Sequence, residues 1–254
     1  AKGFLTHFKP RGELAPWRAL TSAFSEPGLE PHAFMLLTAF ASPLLQLVNK
    51  KGFTISACGP TGGGKSTMGQ FLASVYGHPE DTWAKRDDTI AARMEKLGAY
   101  YSIPLYMDEF TTVAPKELRE LIYSVATGKG RDSLKQDRTL RPGADWATIL
   151  VTSTNDSLQS KLQLEKTNAE AESMRLFEFK FPKVAPFGDV APWVPKIVFE
   201  NYGMAGGRYI QHIVDNLARV KQGAQDALDA AVREFGMASE ERFWSQAIAL
   251  SLYG

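Results

Sequence analysis

The chain has 254 residues, 44% of them hydrophobic and 22% charged, with a formal net charge of +1. That length and apolar content can fill one large α/β domain, or one domain with a smaller appendage, so disorder is not the default reading. A near-neutral balance excludes whole-molecule attraction to nucleic acid, so any such contact must come from a local basic cluster; the single cysteine, Cys58, excludes an internal disulfide, fits a reducing cytoplasm and reads as a small core residue.

Residues 1–50 read as a helical lead-in. Its apolar stretch Phe34 to Val48 is interrupted by Thr38, Ser42, Pro43 and Gln46. It is shorter than the roughly 20 residues that cross a bilayer, so it predicts a buried helix and no membrane partner. The N-terminus lacks a basic segment followed by a small-residue cleavage site, so nothing indicates secretion. With Ala1-Lys2 at its head and the apolar run Trp244 to Tyr253 at its tail, the chain reads as a piece of a longer polypeptide.

A core over residues 51–182 follows. Phe53 to Cys58 is apolar and β-capable, a glycine cluster comes next, and Ser66 to Tyr76 runs at helical spacing through Met68, Phe71, Leu72 and Val75. A second helix is predicted from Thr89 to Leu97, then a buried strand from Tyr101 to Met107 closed by Asp108 and Glu109. The distance of these carboxylates from Lys65 along the chain suits a strand inserted beside the first. Pro115 opens a helix that Gly128-Lys129-Gly130 ends, a strand from Ala147 to Ser153 runs into Thr154-Asn155, and Leu176 to Phe181 alternates as another strand. Alternation of this kind predicts a parallel sheet between helices. From residue 183 the chain changes: Pro186, Pro192 and Pro195 punctuate a linker, and helices over 208–218, 222–235 and 239–252 form a small C-terminal helical lid spanning 183–254, cut short at its end.

Gly59-Pro60-Thr61-Gly62-Gly63-Gly64-Lys65-Ser66-Thr67 completes the Walker A pattern between a strand and a helix, the context that gives the pattern meaning. Glycines let successive N–H groups turn onto phosphates, Lys65 neutralises their oxygens, and Ser66 offers a hydroxyl to Mg²⁺. The bland alternative is a glycine-rich connecting turn. Asp108 would hold Mg²⁺ and Glu109 would polarise the attacking water as general base, unless the acidic pair merely ends a strand in solvent. Asn155 can orient that water between the carboxylates and the γ-phosphate, or simply start a turn. Arg175 sits before a strand, where it could reach a neighbour's nucleotide, or pair locally with Glu172 or Glu178. Between Gly128 and Trp146, the basic Lys129, Arg131, Lys135, Arg138 and Arg141 outnumber Asp132, Asp137 and Asp145. That loop could present Lys135 and Arg138 to nucleic-acid phosphates or be a solvated mixed-charge segment. Tyr100, Tyr101 and Trp146 read as core.

On these residues, with Ser74-Val75-Tyr76-Gly77, Met107-Asp108-Glu109 and Gly128-Lys129-Gly130-Arg131, the chain resembles the helicase-like ATPase domains of phage and mobile-element replication proteins, related to superfamily 3 helicases within the AAA+ group. The resemblance covers most of the chain. It implies an α/β P-loop NTPase of AAA+ type that uses ATP and Mg²⁺, and a homo-oligomer, a hexamer, with ATP at subunit interfaces. It further implies a hairpin at about 132–141 contacting single-stranded DNA through Lys135, Arg138 and Arg141, Asn155 as sensor, Arg175 as a finger in trans, and a fused primase domain elsewhere in the full protein. Arg208 and Arg219 are candidates for a second sensor. Two rival readings share the ATPase core: a packaging or remodelling motor with another substrate, and an initiator or loader switch that hydrolyses slowly.

Overall fold

A computed structural model describes residues 3–110, 113–130, 132–134, 140–164, 170–236 and 241–254. The lead-in folds as α1 (Leu14–Thr21) and α2 (Glu30–Leu47), the latter with Pro31 in its first turn, where a missing N–H costs little. Then come β1 (Phe53–Cys58), α3 (Lys65–Ser74), α4 (Ile90–Tyr100), β2 (Leu105–Met107) and α5 (Pro115–Thr127). An antiparallel hairpin of β3 (Ser133–Leu134) and β4 (Leu140–Arg141) precedes β5 (Ile149–Thr154), α6 (Leu158–Leu164), α7 (Glu170–Ser173) and β6 (Leu176–Lys180). The remainder is helical: α8 (Ala185–Val190), α9 (Trp193–Val198), α10 (Met204–Asp215), α11 (Leu217–Phe235) and α12 (Arg242–Tyr253).

Among the described residues the main sheet is parallel, in the order β2-β5-β1-β6. The segment at Ala84 adds a parallel bridge to Met107 at the outer edge of β2. The carboxylate-bearing strand is therefore not beside the first, as its spacing suggested. A parallel neighbour requires a crossover, and the chain completes β2, α5 and the hairpin before inserting β5 between β2 and β1. That order matters for chemistry: Cys58 stands opposite Thr154 and Met107 opposite Thr152, so the loops leaving β1, β5 and β2 emerge side by side at one edge.

Strand residues alternate between two cores, as the period of two requires. Phe53, Ile55, Ala57, Tyr106, Ile149 and Val151 pack on one face with α2, α3 and α12, while Leu105, Met107 and Leu150 pack on the other with Leu118, Ile122 and Val125 of α5. Residues from the lead-in (Trp17, Leu44), from the central segment and from α11 and α12 (Ala224, Ala247, Leu250) share the first cluster.

The sequence reading and the structure differ locally, each time for a physical reason. The expected strand at 101–107 is confined to Leu105–Met107, because α4 runs through Tyr100 and Tyr101 takes a positive φ of 59°. Tyr101 is not core but 43% exposed, its hydroxyl accepting from Gln46 Nε2 at 2.9 Å; Tyr100 and Trp146 are buried as expected. The proline-rich linker after residue 182 contains α8 and α9, which place Pro186 and Pro195 in their first turns. Cys58 is half-buried beside the glycine-rich loop that follows β1, and burial raises its thiol pKa.

Candidate nucleotide-phosphate site

The loop from Gly59 to Gly64 leaves β1 and enters α3 through Gly64, whose φ of 89° lies in the left-handed region that favours glycine. A Cβ on Gly64 would also stand 1.9 Å from Phe187 Cε1. Gly59 is constrained by approach instead: a Cβ there would meet the Phe181 carbonyl oxygen at 1.9 Å, next to the bond that Phe181 N donates to Cys58 O at 2.7 Å. Gly59→Ala must therefore push β6 from β1. It is expected to cost about 2 kcal/mol or more in urea unfolding, whereas Gly62→Ala, whose Cβ meets nothing nearer than Lys183 Nζ at 3.5 Å, costs only the roughly 1–2 kcal/mol of a left-handed residue.

Lys65 is 8% exposed, and its ammonium turns back into the loop. Nζ donates to Gly59 O at 2.6 Å, Pro60 O at 2.8 Å and Asn155 Oδ1 at 3.1 Å, which uses all three donors. Burial lowers its pKa, and the Asp108 carboxylate works against that shift. Thr61 Oγ1 donates to the same Asn155 oxygen at 3.5 Å. Asn155, one residue past β5, thus ties the end of that strand to both Lys65 and Thr61.

Asp108 is fixed by three donors on Oδ1: the Glu109 N–H at 3.0 Å, the Tyr106 hydroxyl at 3.3 Å, and the Ser153 hydroxyl. Tyr106 is buried, and burial with the neighbouring Asp108 pushes its phenol well above the ordinary range, so it stays a neutral donor. Glu109 takes a φ of 51° and accepts from Arg86 Nη1 at 3.3 Å, in a pair whose members are both largely exposed. Asp108, Glu109, Ser153, Thr154 and Asn155 line one cavity of about 260 Å³ together with Thr61, Gly62, Gly64, Lys65, Ser66 and Thr67. Of the loop residues predicted, Gly59, Pro60 and Gly63 do not line that cavity, and the first two are the lysine's acceptors.

Ser66, exposed at the N-terminus of α3, and the free lone pairs of Asp108 are hard oxygen donors on the same cavity wall, and they fit Mg²⁺. Among the described residues no three His, Cys, Asp or Glu side chains group as a metal cage. Mg²⁺ at a phosphate site does not need one, since it takes one or two protein ligands and completes its shell with water and phosphate.

The remaining predicted residues lie elsewhere. Arg175 is at the opposite end of the sheet: its carbonyl accepts from Thr54 N at 3.1 Å, at the start of β1. Its guanidinium carbon stands 5.1 Å from the Tyr123 ring centroid and 5.9 Å from that of Phe243. Glu178, one proposed local partner, instead accepts from the Ser157 hydroxyl at 2.5 Å and from Leu158 N at 2.7 Å. Arg141 pairs through its backbone with Ser133, which puts it on the stem of a hairpin between α5 and β5. Lys135, Arg138 and Arg131 lie outside the described residues. Arg208 and Arg219 are exposed on α10 and α11, and neither lines the cavity beside Lys65.

Sequence reasoning missed Tyr106, Ser153, Arg86 and His32. Tyr106 had a signal, since it stands two residues before Asp108 on a strand and so shares its face. His32 had none: it reaches the loop from α2, its Nε2 3.4 Å from Gly63 O and its ring packed 4.3 Å from both Phe181 and Phe187. Burial lowers its pKa against the pull of the Gly63 carbonyl, so the loop rests on a predominantly neutral ring at pH 7.

A model of the family described as "Domain of unknown function (DUF927)" matches residues 3–144. No curated protein matches the sequence. Among solved structures, SCCmec type IV Cch, described as an active helicase, superposes with a TM-score of 0.74 at 19% identity over 97% of this chain. The match takes in 47% of that helicase, so the chain spans about half its length. NtrX from Brucella abortus in complex with ATP gives a TM-score of 0.37 at 12% identity over 83% of this chain and 48% of NtrX. A JCV helicase gives 0.33 at 12% identity over 87% and 74% of the respective chains. The first of these shares the fold of this chain, a parallel α/β sheet between helices.

Proposed function

Because the chain belongs to the DUF927 family, whose description assigns no activity, we propose one from the site itself: the chain hydrolyses ATP with Mg²⁺ as the motor part of a larger DNA-replication protein, translocating on single-stranded DNA. One observation carries the proposal. Lys65, Asp108, Glu109 and Asn155, drawn from three neighbouring strands, converge on a single cavity at the C-terminal edge of a parallel sheet, where α/β sheets bind ligands.

In this reading the loop N–H groups and Lys65 take the β- and γ-phosphates, exchanging the ammonium's bonds to the loop carbonyls for stronger ones to anionic oxygens. Bound Mg²⁺, held through Ser66 and Asp108, would neutralise charge on the phosphates. Tyr106 and Ser153 keep Asp108 oriented for that task. Glu109 polarises the attacking water, and the Asn155 amide orients it. The cavity of about 260 Å³ falls short of the roughly 300–1,000 Å³ of pockets that enclose a whole ligand. This supports capture of the phosphates here with the rest of the nucleotide against a second subunit, in a ring for which we keep the hexamer as the expected size. Arg175, at the far end of the sheet from its own phosphate loop, would then act across that interface. We retain segments 1–50, 51–182 and 183–254 as lead-in, ATPase core and helical lid, and a cytoplasmic location.

A second reading, a loader that uses ATP to assemble and hydrolyses slowly, has one observation in its favour: Arg86 engages Glu109, which a general base must leave to bind water. Steady-state ATPase at fixed low salt, with and without single-stranded DNA, separates the two. The motor reading expects a Lys65-dependent rate that single strands raise and that Lys135→Ala with Arg138→Ala no longer responds to. A slow rate indifferent to DNA at every protein concentration would replace it with the loader.

A further inference from the structure

A second groove, with a cavity of about 480 Å³, lies along the exposed side of α5 and the foot of the β3–β4 hairpin. Residues 116, 119 or 120, 123 and 127 recur at helical spacing and fall on one face of α5, opposite the buried Leu118, Leu121, Ile122 and Val125. Lys116, Arg119 and Lys129 line the groove as cations against the carboxylates of Glu120 and Glu172. Between them Tyr123 is 53% exposed, a large aromatic ring left half in solvent, with the Arg175 guanidinium carbon over it at 5.1 Å from the centroid. The backbone of Lys129 pairs with that of Asp145 in an isolated antiparallel bridge and Gly130 N donates to Ala144 O at 2.7 Å, so the groove opens onto the stem of the hairpin.

We infer that this groove binds the sugar-phosphate backbone of a single strand of nucleic acid, with Lys116, Arg119 and Lys129 on the phosphates and a base laid on the Tyr123 ring. The inference rests on the DNA-motor reading and extends it to a second contact surface. A basic groove with an aromatic platform holds single strands without regard to sequence, because every base has a face to stack and every nucleotide a phosphate. The volume, larger than that of the phosphate cavity, gives a base and its sugar room beside the ring. Glu120 and Glu172 keep the positive surplus small, so attraction is local and falls steeply with salt.

The test is fluorescence anisotropy of a labelled oligothymidylate of about 20 nucleotides, long enough to cover a single-strand site, titrated with the native chain and its variants over a salt series. Tyr123→Ala is expected to weaken binding about tenfold or more while Tyr123→Phe, which keeps the platform, stays within about twofold. Lys116→Ala with Lys129→Ala, two exposed positions, is expected to lower the slope of log affinity against log salt by roughly 1.4, at about 0.7 for each phosphate no longer neutralised. Unfolding midpoints and DNA-independent ATPase of Lys116→Ala with Lys129→Ala, measured alongside, are expected to stay at native values. If Lys135→Ala with Arg138→Ala alone loses the oligonucleotide and the groove variants keep affinity and slope, the hairpin reading stands and the groove is excluded. If the groove variants instead lose only the protein-concentration dependence of ATPase, their cations serve a nucleotide on a second copy and the inference fails. A native chain that binds no oligonucleotide overturns the groove and the DNA reading together.

Discussion

Lys65→Ala is expected to lower the steady-state ATPase by about 10²–10³-fold, the cost of removing one donor preorganised on developing phosphate charge. The geometry explains why the loss should be large. Lys65 Nζ is already held by Gly59 O, Pro60 O and Asn155 Oδ1, so the cation waits inside the loop and does not have to be drawn from solvent. Its side chain is 8% exposed, where a charge is screened little and counts more than on the surface. Asp108 faces it across the cavity and favours the charged form against burial. Alanine removes the ammonium and leaves the two loop carbonyls turned inward, toward arriving phosphates. Nucleotide affinity should therefore fall with the rate, readable with a fluorescent ATP analogue. Stability should move far less, because the loss of a partly buried cation offsets the loss of its hydrogen bonds. A Lys65→Ala chain that still hydrolysed within tenfold of the native rate would remove the site from any role in the reaction.

The strand, glycine loop and helix were legible because everything that defines them is local: six residues of β1, a glycine run, and the first turn of α3. The buried β5 was legible from its apolar run, and the ends of α5 from Pro115 and Gly128. What the sequence did not yield depends on which strands end up adjacent. Nothing in the spacing from Lys65 to Asp108 says that β5 enters between them, yet that insertion puts Asn155 against Lys65 and Ser153 against Asp108. His32 is the extreme case, a residue of an apolar helix whose contact with Gly63 exists only once α2 is laid over the loop. The short helices α8 and α9 escaped because prolines that look like punctuation are also tolerated in a helix's first turn. Arg175 was read from its place before a strand. Its stack on Tyr123 depends on α5 lying alongside, which no local pattern encodes.

Glu109→Gln is the second change with a large expected effect, and it tests the division of labour between adjacent carboxylates. The amide has the shape of the acid and can hold a water by hydrogen bonds, but it cannot accept the water's proton. A loss of about 10²–10⁴ in turnover follows if Glu109 is the base. Nucleotide binding should survive, because Lys65, Ser66 and Asp108 are untouched and Asp108 keeps its bonds from Tyr106, Ser153 and the backbone N–H of residue 109. The positive φ at this position strains glutamate and glutamine alike, so the folded state should be as stable as the native one. Arg86 loses its ion-pair partner in the same variant. Arg86→Ala is therefore the necessary companion: it removes the pair and keeps the base. If Glu109→Gln traps ATP without hydrolysis while Arg86→Ala hydrolyses at least as fast as the native chain, the ion pair restrains a true general base. If both changes leave turnover within tenfold, the water is activated by another group, and the acidic pair is reduced to Asp108 alone.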